Sequence, residues 1–366
     1  MALLGLDLNS LQWLESFSTG RTQSVSIDGK LSPALDLVHG LVQGSILAPL
    51  LYILFTTDIP DLVHDHHVSI NNPKTYCNNC GSTVSFMDDN TNSVGCNTPE
   101  ELSSKLSQQF QVISDYMNTN HLIINSDKTH LVVMCKRNMK EKRNQVSVNS
   151  GNFVITPSRS ERLLGAQVCE DMKFREHILD NEKSLIKQLT SRLNGLSMVT
   201  KRASFKTRLS VINGVYTSKL CYLIQFWGGA NDYLLRALQV TQNRAARMVT
   251  KQSWFTPTRI LLKTCGWLSV RQLVVYHTVL TTHKVVISGL PEYMRDKMCR
   301  EHSHNTRSTV KFGENFGGRS AIASASFCYR GTLSYNKLPQ EIRSITNMDT
   351  FKTHLKKWIS NNIDVC

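Results

Sequence analysis

The chain has 366 residues, 41% of them hydrophobic, so it is long enough to bury a sizeable core and to form two or three subdomains. Its ten cysteines are scattered without the spacing of a disulfide framework, which indicates a reducing compartment rather than secretion. Because we find neither a basic–apolar leader nor an apolar run of membrane-spanning length, we expect a soluble protein of the cytoplasm or nucleus with no membrane partner.

The formal charge of +14 is distributed unevenly along the chain. Residues 1–100 hold three basic and ten acidic side chains, whereas the remainder holds thirty-nine basic and eighteen acidic ones. A basic region of this size predicts a nucleic-acid partner, because Lys and Arg bind phosphates. The densest basic run, residues 136–143, is predicted to be an exposed loop; for that run alone, a solvated face that only aids solubility is an equal alternative.

The first predicted elements precede residue 55. Val25 and Ile27 alternate with polar residues before Asp28-Gly29, which predicts a strand entering a tight turn. The segment 40–49, GLVQGSILAP, then leads into an apolar run predicted to be a helix with a wide buried face. Gly44 would let the backbone come close to a nucleotide or base pair. The alternative is a plain loop–helix junction in which Ser45 is the N-cap.

Two adjacent acids, Asp88 and Asp89, end a short alternating run at Phe86-Met87, which predicts a strand running into a turn. Neighbouring carboxylates raise each other's pKa and repel unless a cation or hydrogen bonds compensate. A carboxylate pair on a hairpin tip is a suitable ligand set for Mg²⁺. In isolation, however, a solvated turn would be the better interpretation of such a pair.

A cysteine pair, Cys77 and Cys80, has the spacing of zinc ligands, with three histidines nearby at positions 64, 66 and 67. Only two cysteines are within reach and the histidines are irregularly placed, so a flexible, reduced insertion is the preferred interpretation. A similar argument applies to His177, which lacks Cys or His at ligand spacing and is predicted to be packed or solvated.

The rest of the chain is predicted to be mostly helical. Thr98-Pro99 marks a helix start, with Thr98 as N-cap, and apolar residues follow at helical spacing up to Met117. Gly165 permits a close backbone approach or a bulge. Amphipathic helices are predicted near residues 181–199, 204–226, 233–250, 268–288 and 349–361.

Several segments together resemble the reverse transcriptases of non-LTR (LINE-type, jockey-like) retrotransposons. Residues 86–89 are similar to the family's F/Y-x-D-D motif, and residues 40–49 to its G-x-P-Q-G-S motif, with Val42 in place of the usual Pro. Residues 118–129 (NTNHLIINSDKT), 162–168 (RLLGAQV) and 238–247 (LQVTQNRAAR) resemble later family segments in the same order. The resemblance extends from about Leu4 to Ile359.

The resemblance implies an α/β plus all-α fold. Residues 1–178 would form a partial polymerase palm, residues 179–255 a helical thumb-like region, and residues 256–366 a helical C-terminal region. The family's first metal-binding Asp, in an F-x-D-x-x-x-A-F-D context, has no match, since Asp7 and the other early acids lack that setting. The resemblance therefore implies an N-terminally truncated polymerase without fingers or the first catalytic motif.

The implied function is RNA-directed DNA polymerisation, in which two Mg²⁺ (or Mn²⁺) ions serve nucleotidyl transfer on an RNA template and a DNA primer with dNTPs. Asp88 and Asp89 would be the metal ligands. Lys128 would neutralise or protonate the departing pyrophosphate, and a surface lysine in a turn is an equal alternative. The residues implied to contact nucleotide, template or primer are Gln43, Gly44, Ser45, Phe86 and Gly165.

Two alternatives stay open. In the first, the chain is a catalytically dead, decayed or domesticated remnant that binds RNA or DNA through its basic part. It would be inactive because the loss of one metal ligand removes most of the charge stabilisation that this chemistry needs. Less favoured is a basic interaction protein whose motifs persist only as packing. The resemblance also implies an element-encoded endonuclease region upstream.

Overall fold

The computed structural model describes residues 5–42, 44–65, 82–135, 139–149, 151, 153–298 and 321–362. The chain divides into two compact units, Met1–Ser158 and Arg159–Cys366. Strands and helices are mixed, as predicted at that coarse level. The finer division into palm, thumb-like and C-terminal regions at residues 178 and 255 stays a prediction.

The first unit combines short helices with two-stranded sheets. Its helices are α1 (Leu8–Ser18), α2 (Ala48–Phe55), α3 (Ile59–Asp65), α4 (Pro99–Thr119) and α5 (Lys140–Arg143), with a 3₁₀ turn at Ser126–Lys128. Its strands are β1 (Thr22–Gln23), β2 (Ser26–Ile27), β3 (Lys30–Leu31), β4 (Leu35–Asp36), β5 (Ser82–Phe86), β6 (Asp89–Ser93), β7 (Leu131–Val132), β8 (Val148–Asn149), β9 (Val154–Ile155) and β10 (Pro157–Ser158). The antiparallel pairs are β1–β4, β2–β3, β5–β6 and β8–β9, and β7–β10 is parallel.

Local predictions in this unit are confirmed. Strand β2 enters a two-residue turn in which Asp28 and Gly29 have φ values of 49° and 77°, and Ile27 pairs with Lys30. Both turn residues are left-handed, which matches the twist of the flanking strands. Helix α4 begins as predicted, because the Thr98 side chain accepts a hydrogen bond from the Glu101 N–H at 3.2 Å.

The core of the first unit is small. Among the described residues, one cluster joins Ile59 from α3 with Ile113 and Met117 from α4, and Leu51, Val133, Val146 and Val148 are buried as well. The Tyr116 hydroxyl donates a hydrogen bond to the Phe55 carbonyl at 2.9 Å, which connects α4 to the end of α2. This core thus buries the end of the apolar stripe that was predicted for the helix beginning at Thr98.

The predicted wide buried face at residues 46–54 is wrong. Helix α2 begins only at Ala48, and Leu51 is its one buried residue. Ile46 is 95% exposed and Leu50 is 54% exposed. An apolar helix face is buried only where another element covers it. Among the described residues, α2 has such cover on the Leu51 side alone.

The second unit begins with a hairpin and continues as helices. Strands β11 (Ser160–Leu163) and β12 (Ala166–Cys169) pair antiparallel, and π-helical turns occur at Glu176–Asp180 and Asn213–Thr217. Its helices are α6 (Leu185–Thr200), α7 (Phe205–Ile212), α8 (Ser218–Cys221), α9 (Ile224–Trp227), α10 (Asp232–Thr250), α11 (Thr258–Cys265), α12 (Val270–Ser288), α13 (Glu292–Met298), α14 (Ala321–Ala325), α15 (Phe327–Asn336), α16 (Gln340–Arg343) and α17 (Met348–Asn361).

The predicted helices of this unit are confirmed, with one interruption. The predicted helix near 204–226 is continuous from α7 through the π-helical turn to α8. It is interrupted at Leu223, where φ is 54° and the chain changes direction before α9. The main core extends from Phe174 to Val274 and includes the fully buried Trp227. Two of its buried hydroxyls, those of Tyr216 and Thr241, are paired with each other and lie 2.7 Å apart. None of the helices in the described ranges is long and apolar enough to cross a bilayer.

Candidate active site

The two aspartates lie at the tip of the β5–β6 hairpin. Phe86 pairs with Asp89, so Met87 and Asp88 form a two-residue turn. Met87 has a φ of 55°, a left-handed conformation that usually requires glycine. Holding a bulky residue there costs on the order of 1–3 kcal/mol. The predicted strand and turn are therefore present, and both carboxylates are exposed at the tip.

The two faces of this hairpin differ in an unexpected way. Register places Val84, Phe86 and Asp89 on one face, where Val84 is 62% and Phe86 58% exposed. On the opposite face, the side-chain oxygens of Asn90 and Asn92 are buried, and they have no hydrogen-bond partner among the described residues. The apolar face thus points to solvent, and it leaves Asp89 open to a ligand.

The hairpin tip lies close to helix α2. Burial and, secondarily, the negative charge of Asp88 raise the pKa of the Tyr52 phenol. Tyr52 is in α2, which begins three residues after Ser45. The charge at the hairpin tip therefore acts on the helix that follows the Gly44–Ser45 motif. Sequence reasoning missed Tyr52, because its position in an apolar run gave no sign of a polar neighbour.

The backbone at Gly44 is open. Its φ is 81°, and a Cβ placed there would have no atom within 4 Å. The Ser45 hydroxyl accepts a hydrogen bond from the Ala48 N–H at 3.0 Å. Ser45 thus supports the start of α2, as the loop–helix alternative predicts, although the N-cap position itself belongs to Leu47. Gln43 lies outside the described residues.

Lys128 ends the 3₁₀ turn that follows α4. Its backbone N–H donates to the Asn125 side chain at 3.2 Å, and its own side chain is exposed. The described contacts do not join Lys128 to Asp88 or Asp89. A role at the leaving group and a plain surface position both stay predictions.

Gly165 belongs to the second unit, in the two-residue turn of the β11–β12 hairpin. Leu164 and Gly165 have φ values of 46° and 85°, so the chain needs glycine or a strained residue at both positions. A Cβ on Gly165 would lie 3.3 Å from Cε1 of Tyr222, whose hydroxyl donates to the Leu164 carbonyl at 2.7 Å. Within this unit, Tyr222 is therefore the residue that approaches the backbone of Gly165 closely.

His177 is packed behind the same hairpin. The Gln167 N–H donates to its Nδ1 at 3.2 Å. Burial, followed by the charges of Lys219 and Arg162, lowers the pKa of His177 to about 4. A neutral, packed imidazole is the first of the two environments predicted for this residue.

Metal ligands are few in the described part of the chain. Within it, no group of three or more His, Cys, Asp or Glu side chains is placed to hold a metal ion. Cys77, Cys80, His66 and His67 lie outside the described residues, as does the side chain of His64. Asp88 and Asp89 fit Mg²⁺ as a partial ligand set, because Mg²⁺ is commonly bound by one or two carboxylates together with water and substrate phosphates.

Comparison with known proteins identifies the family. Residues 8–168 match the family model described as reverse transcriptase (RNA-dependent DNA polymerase). That range contains the hairpin with both aspartates, the Gly44–Ser45 turn and Lys128. This region belongs to the reverse transcriptase family.

Several relatives extend the similarity beyond the reverse transcriptase region. A probable RNA-directed DNA polymerase from transposon X-element of Drosophila melanogaster is 23% identical over 242 residues, which cover 66% of this chain and 25% of the relative. The RNA-directed DNA polymerase from mobile element jockey of Drosophila funebris is 23% identical over 248 residues, covering 68% of this chain and 26% of the relative. A probable RNA-directed DNA polymerase from transposon BS of Drosophila melanogaster is 23% identical, and the match covers 72% of this chain and 28% of the relative.

These matches confirm the family that the motifs predicted, the reverse transcriptases of jockey-like retrotransposons. The chain spans about a quarter of the length of these relatives. Identity of this degree assigns no role to any single residue.

Proposed function

We propose that the reverse transcriptase region serves RNA-directed DNA polymerisation by nucleotidyl transfer. The observation that carries the proposal is the pair Asp88 and Asp89, exposed together on a hairpin tip beside α2 and inside the family-matched range. Polymerisation needs clustered carboxylates at a position that a polynucleotide end can reach. An exposed tip with an open apolar flank meets that requirement.

Asp88 and Asp89 would hold Mg²⁺ or Mn²⁺. When bound, such ions activate a primer 3′-hydroxyl and stabilise the charge on the triphosphate and its leaving group. The turn at Met87 presents both carboxylates, one in the turn and one at the start of β6, at the exposed end of the hairpin. Phe86 offers an exposed aromatic face next to Asp89, on which a sugar or base can pack.

The other residues of the motifs would position the substrates. We assign Gln43, Gly44 and Ser45 to the incoming nucleotide and template, where the open backbone of Gly44 admits close approach. Lys128 would place an ammonium near the departing pyrophosphate. Gly165 would bring the backbone of its hairpin close to the primer strand.

The proposed partners are an RNA template, a DNA primer and dNTPs. In this proposal residues 1–178 act as a partial palm, residues 179–255 as a thumb-like region and residues 256–366 as a helical C-terminal region. An endonuclease region of the same element stays a prediction.

The test is primer extension by the purified chain, with oligo(dT) on poly(rA) in the presence of Mg²⁺. We expect extension by the wild type and a loss on the order of 10²-fold or more in Asp88→Asn, which removes one charge that stabilises the transition state. Asp28→Asn is the matched control, because it makes the same change at an exposed aspartate in another two-residue hairpin turn. Equal activity in the two variants would refute the assignment of Asp88.

A second candidate is a non-catalytic remnant that binds RNA or DNA. It is favoured by the presence of only two adjacent carboxylates at the tip, without a third ligand among the described residues. Salt-sensitive polynucleotide binding without extension would support this candidate. Absence of both activities would leave a basic interaction protein.

A further inference from the structure

The loop between α6 and α7 presents a serine with two cations before it and an aromatic side chain after it. Lys201 and Arg202 precede Ser204 by three and two residues, and Phe205 follows it directly. Lys201, Arg202 and Ser204 are exposed, and the Phe205 side chain is 41% exposed. This loop lies outside the family motifs, so its chemistry needs a separate explanation.

The two cations of the loop are unpaired. No Asp or Glu occurs between Lys183 and Asn231. Among the described residues, neither the Lys201 ammonium nor the Arg202 guanidinium forms an ion pair. An enzyme that offers carboxylates to this loop therefore displaces no internal partner, and it gains charge-assisted hydrogen bonds.

The serine hydroxyl is available at the surface. The backbone of Ser204 is extended, with φ of −65° and ψ of 162°, because this residue caps α7. Its Oγ accepts a hydrogen bond from the Thr207 N–H at 3.2 Å and lies 2.9 Å from the Thr207 hydroxyl, and both contacts are exposed. Because water can replace an exposed hydrogen bond at little net cost, the hydroxyl can leave the cap and meet a reactant.

Two other exposed serines of this unit differ in the state of their basic neighbour. Ser210 also follows an arginine by two residues, but Arg208 is buried and donates to a backbone carbonyl of α10 at 2.7 Å. Ser253 follows Lys251 by two residues, and that ammonium donates to the carbonyl just after α6 at 2.9 Å. At both of these serines the cation is already engaged, which sets Ser204 apart from them.

We propose that Ser204 is a phosphorylation site for a Ser/Thr protein kinase that selects basic substrates. Kinases choose substrates by charge pattern, and such a kinase would bind Lys201 and Arg202 through carboxylates. In the reaction the Ser204 hydroxyl gives its proton to the catalytic Asp of the kinase, and its Oγ forms a bond to the γ-phosphorus of ATP. The bond between that phosphorus and the β–γ bridging oxygen breaks, so that ADP leaves. The inference goes beyond the proposed polymerase activity, because here the chain is the substrate of another enzyme.

A phosphate on Ser204 would change the charge of the loop. It adds about two negative charges at pH 7 next to three cations, Lys201, Arg202 and Lys206. It also lies at the start of α7, where a negative charge is favourable. We therefore expect the hydrogen-exchange protection of the α7 amides to rise about two- to fivefold on phosphorylation.

The test incubates the full chain with ATP, Mg²⁺ and the catalytic subunit of cyclic-AMP-dependent protein kinase, which selects basic substrates, and maps the phosphate by tandem mass spectrometry. We expect one phosphate, on Ser204. In Arg202→Gln, kcat/KM of the kinase reaction should fall about tenfold or more, because a charge-assisted contact with the kinase is lost. Lys206→Gln is the matched control, since it removes an exposed charge two residues to the other side of Ser204. In this control kcat/KM should fall less than about threefold, because only a screened long-range charge is removed.

The variant Ser204→Asn separates the hydroxyl from the fold. Asparagine caps a helix as well as serine but accepts no phosphate, so this variant should lose the modification and keep the wild-type melting temperature. Ser204→Thr retains a hydroxyl and should be phosphorylated. Undiminished phosphorylation of Ser204→Asn, or equal losses in Arg202→Gln and Lys206→Gln, would overturn the proposal. So would modification of a synthetic peptide of residues 198–208 while the folded chain stays unmodified, because the fold would then shield the loop.

Discussion

The two compact units differ in where their apolar side chains lie. The first unit has a core of Ile59, Ile113 and Met117, while Ile46 and Phe86 stay exposed. The second unit buries Trp227 and many aliphatic side chains between its helices. Local stability follows buried apolar contact. The motifs that identify the family are thus concentrated in the unit with the smaller core, and the better-packed unit carries the unpaired positive charge.

The largest expected effect is in the core of the second unit. Trp227→Ala should lower the free energy of unfolding by about 3–5 kcal/mol, because it leaves a large cavity in a close-packed interior. Trp254→Ala is the matched control, since Trp254 is 71% exposed and only stacks with Arg247; it should cost less than about 1 kcal/mol. Urea unfolding measures both. Similar losses in the two variants would contradict the assigned core.

A somewhat smaller effect is expected in the first unit. Ile113→Ala should cost about 2–4 kcal/mol in local stability, measured as the loss of amide hydrogen-exchange protection in α4. Ile46→Ala, at a residue that is 95% exposed, should leave protection unchanged within about 0.5 kcal/mol. If Ile46→Ala were as costly, the exposed face of α2 would be covered in solution and the contrast between the units would weaken.

A pH dependence is expected in the second unit. The pKa of His177 is about 4 in the fold against 6.5 in the unfolded chain, so the unfolded state binds more protons between these values and stability falls as pH drops from 6.5 to 4. The loss is at most about 3 kcal/mol. Burial lowers the pKa values of His277 and His283 as well. His177→Gln should therefore reduce the slope without abolishing it.

Tryptophan fluorescence in a Trp13→Phe background measures this effect, because the other four tryptophans, at positions 227, 254, 267 and 358, all lie in the second unit. His354→Gln, on the exposed side of α17, is the control. An unchanged slope in His177→Gln would place the titrating group elsewhere.

The smallest expected effect compares the two hairpin turns. Met87→Gly and Leu164→Gly each replace a left-handed, non-glycine residue with φ of 55° and 46°. Each should stabilise its hairpin by about 1 kcal/mol, because glycine adopts this conformation without strain. Hydrogen exchange of the flanking strands measures the gain. A loss of protection in either variant would show that the side chain contributes packing that outweighs the backbone strain.

Much of the fold was predictable from local sequence. The turns at Asp28-Gly29 and Leu164-Gly165 contain glycines at left-handed positions, and Thr98 caps α4. Such signals act within a few residues, so they can be interpreted without knowing how the rest of the chain folds. The same is true of the helical periods between residues 185 and 288. The break at Leu223 has no comparable signal, because a left-handed leucine is set by the packing around it.

The candidate site was predictable only in part. The order of motifs identified the family and selected Asp88 and Asp89, because an adjacent carboxylate pair, which alone would indicate a solvated turn, becomes specific in the company of the other ordered motifs. Which apolar surface is buried, as at residues 46–54, was decided by tertiary structure. So were the proximity of Tyr52 to Asp88 and the convergence of Arg162 with Lys219. Contacts of this kind join residues that are distant in the chain, and no local pattern of charge or hydropathy encodes which of them meet.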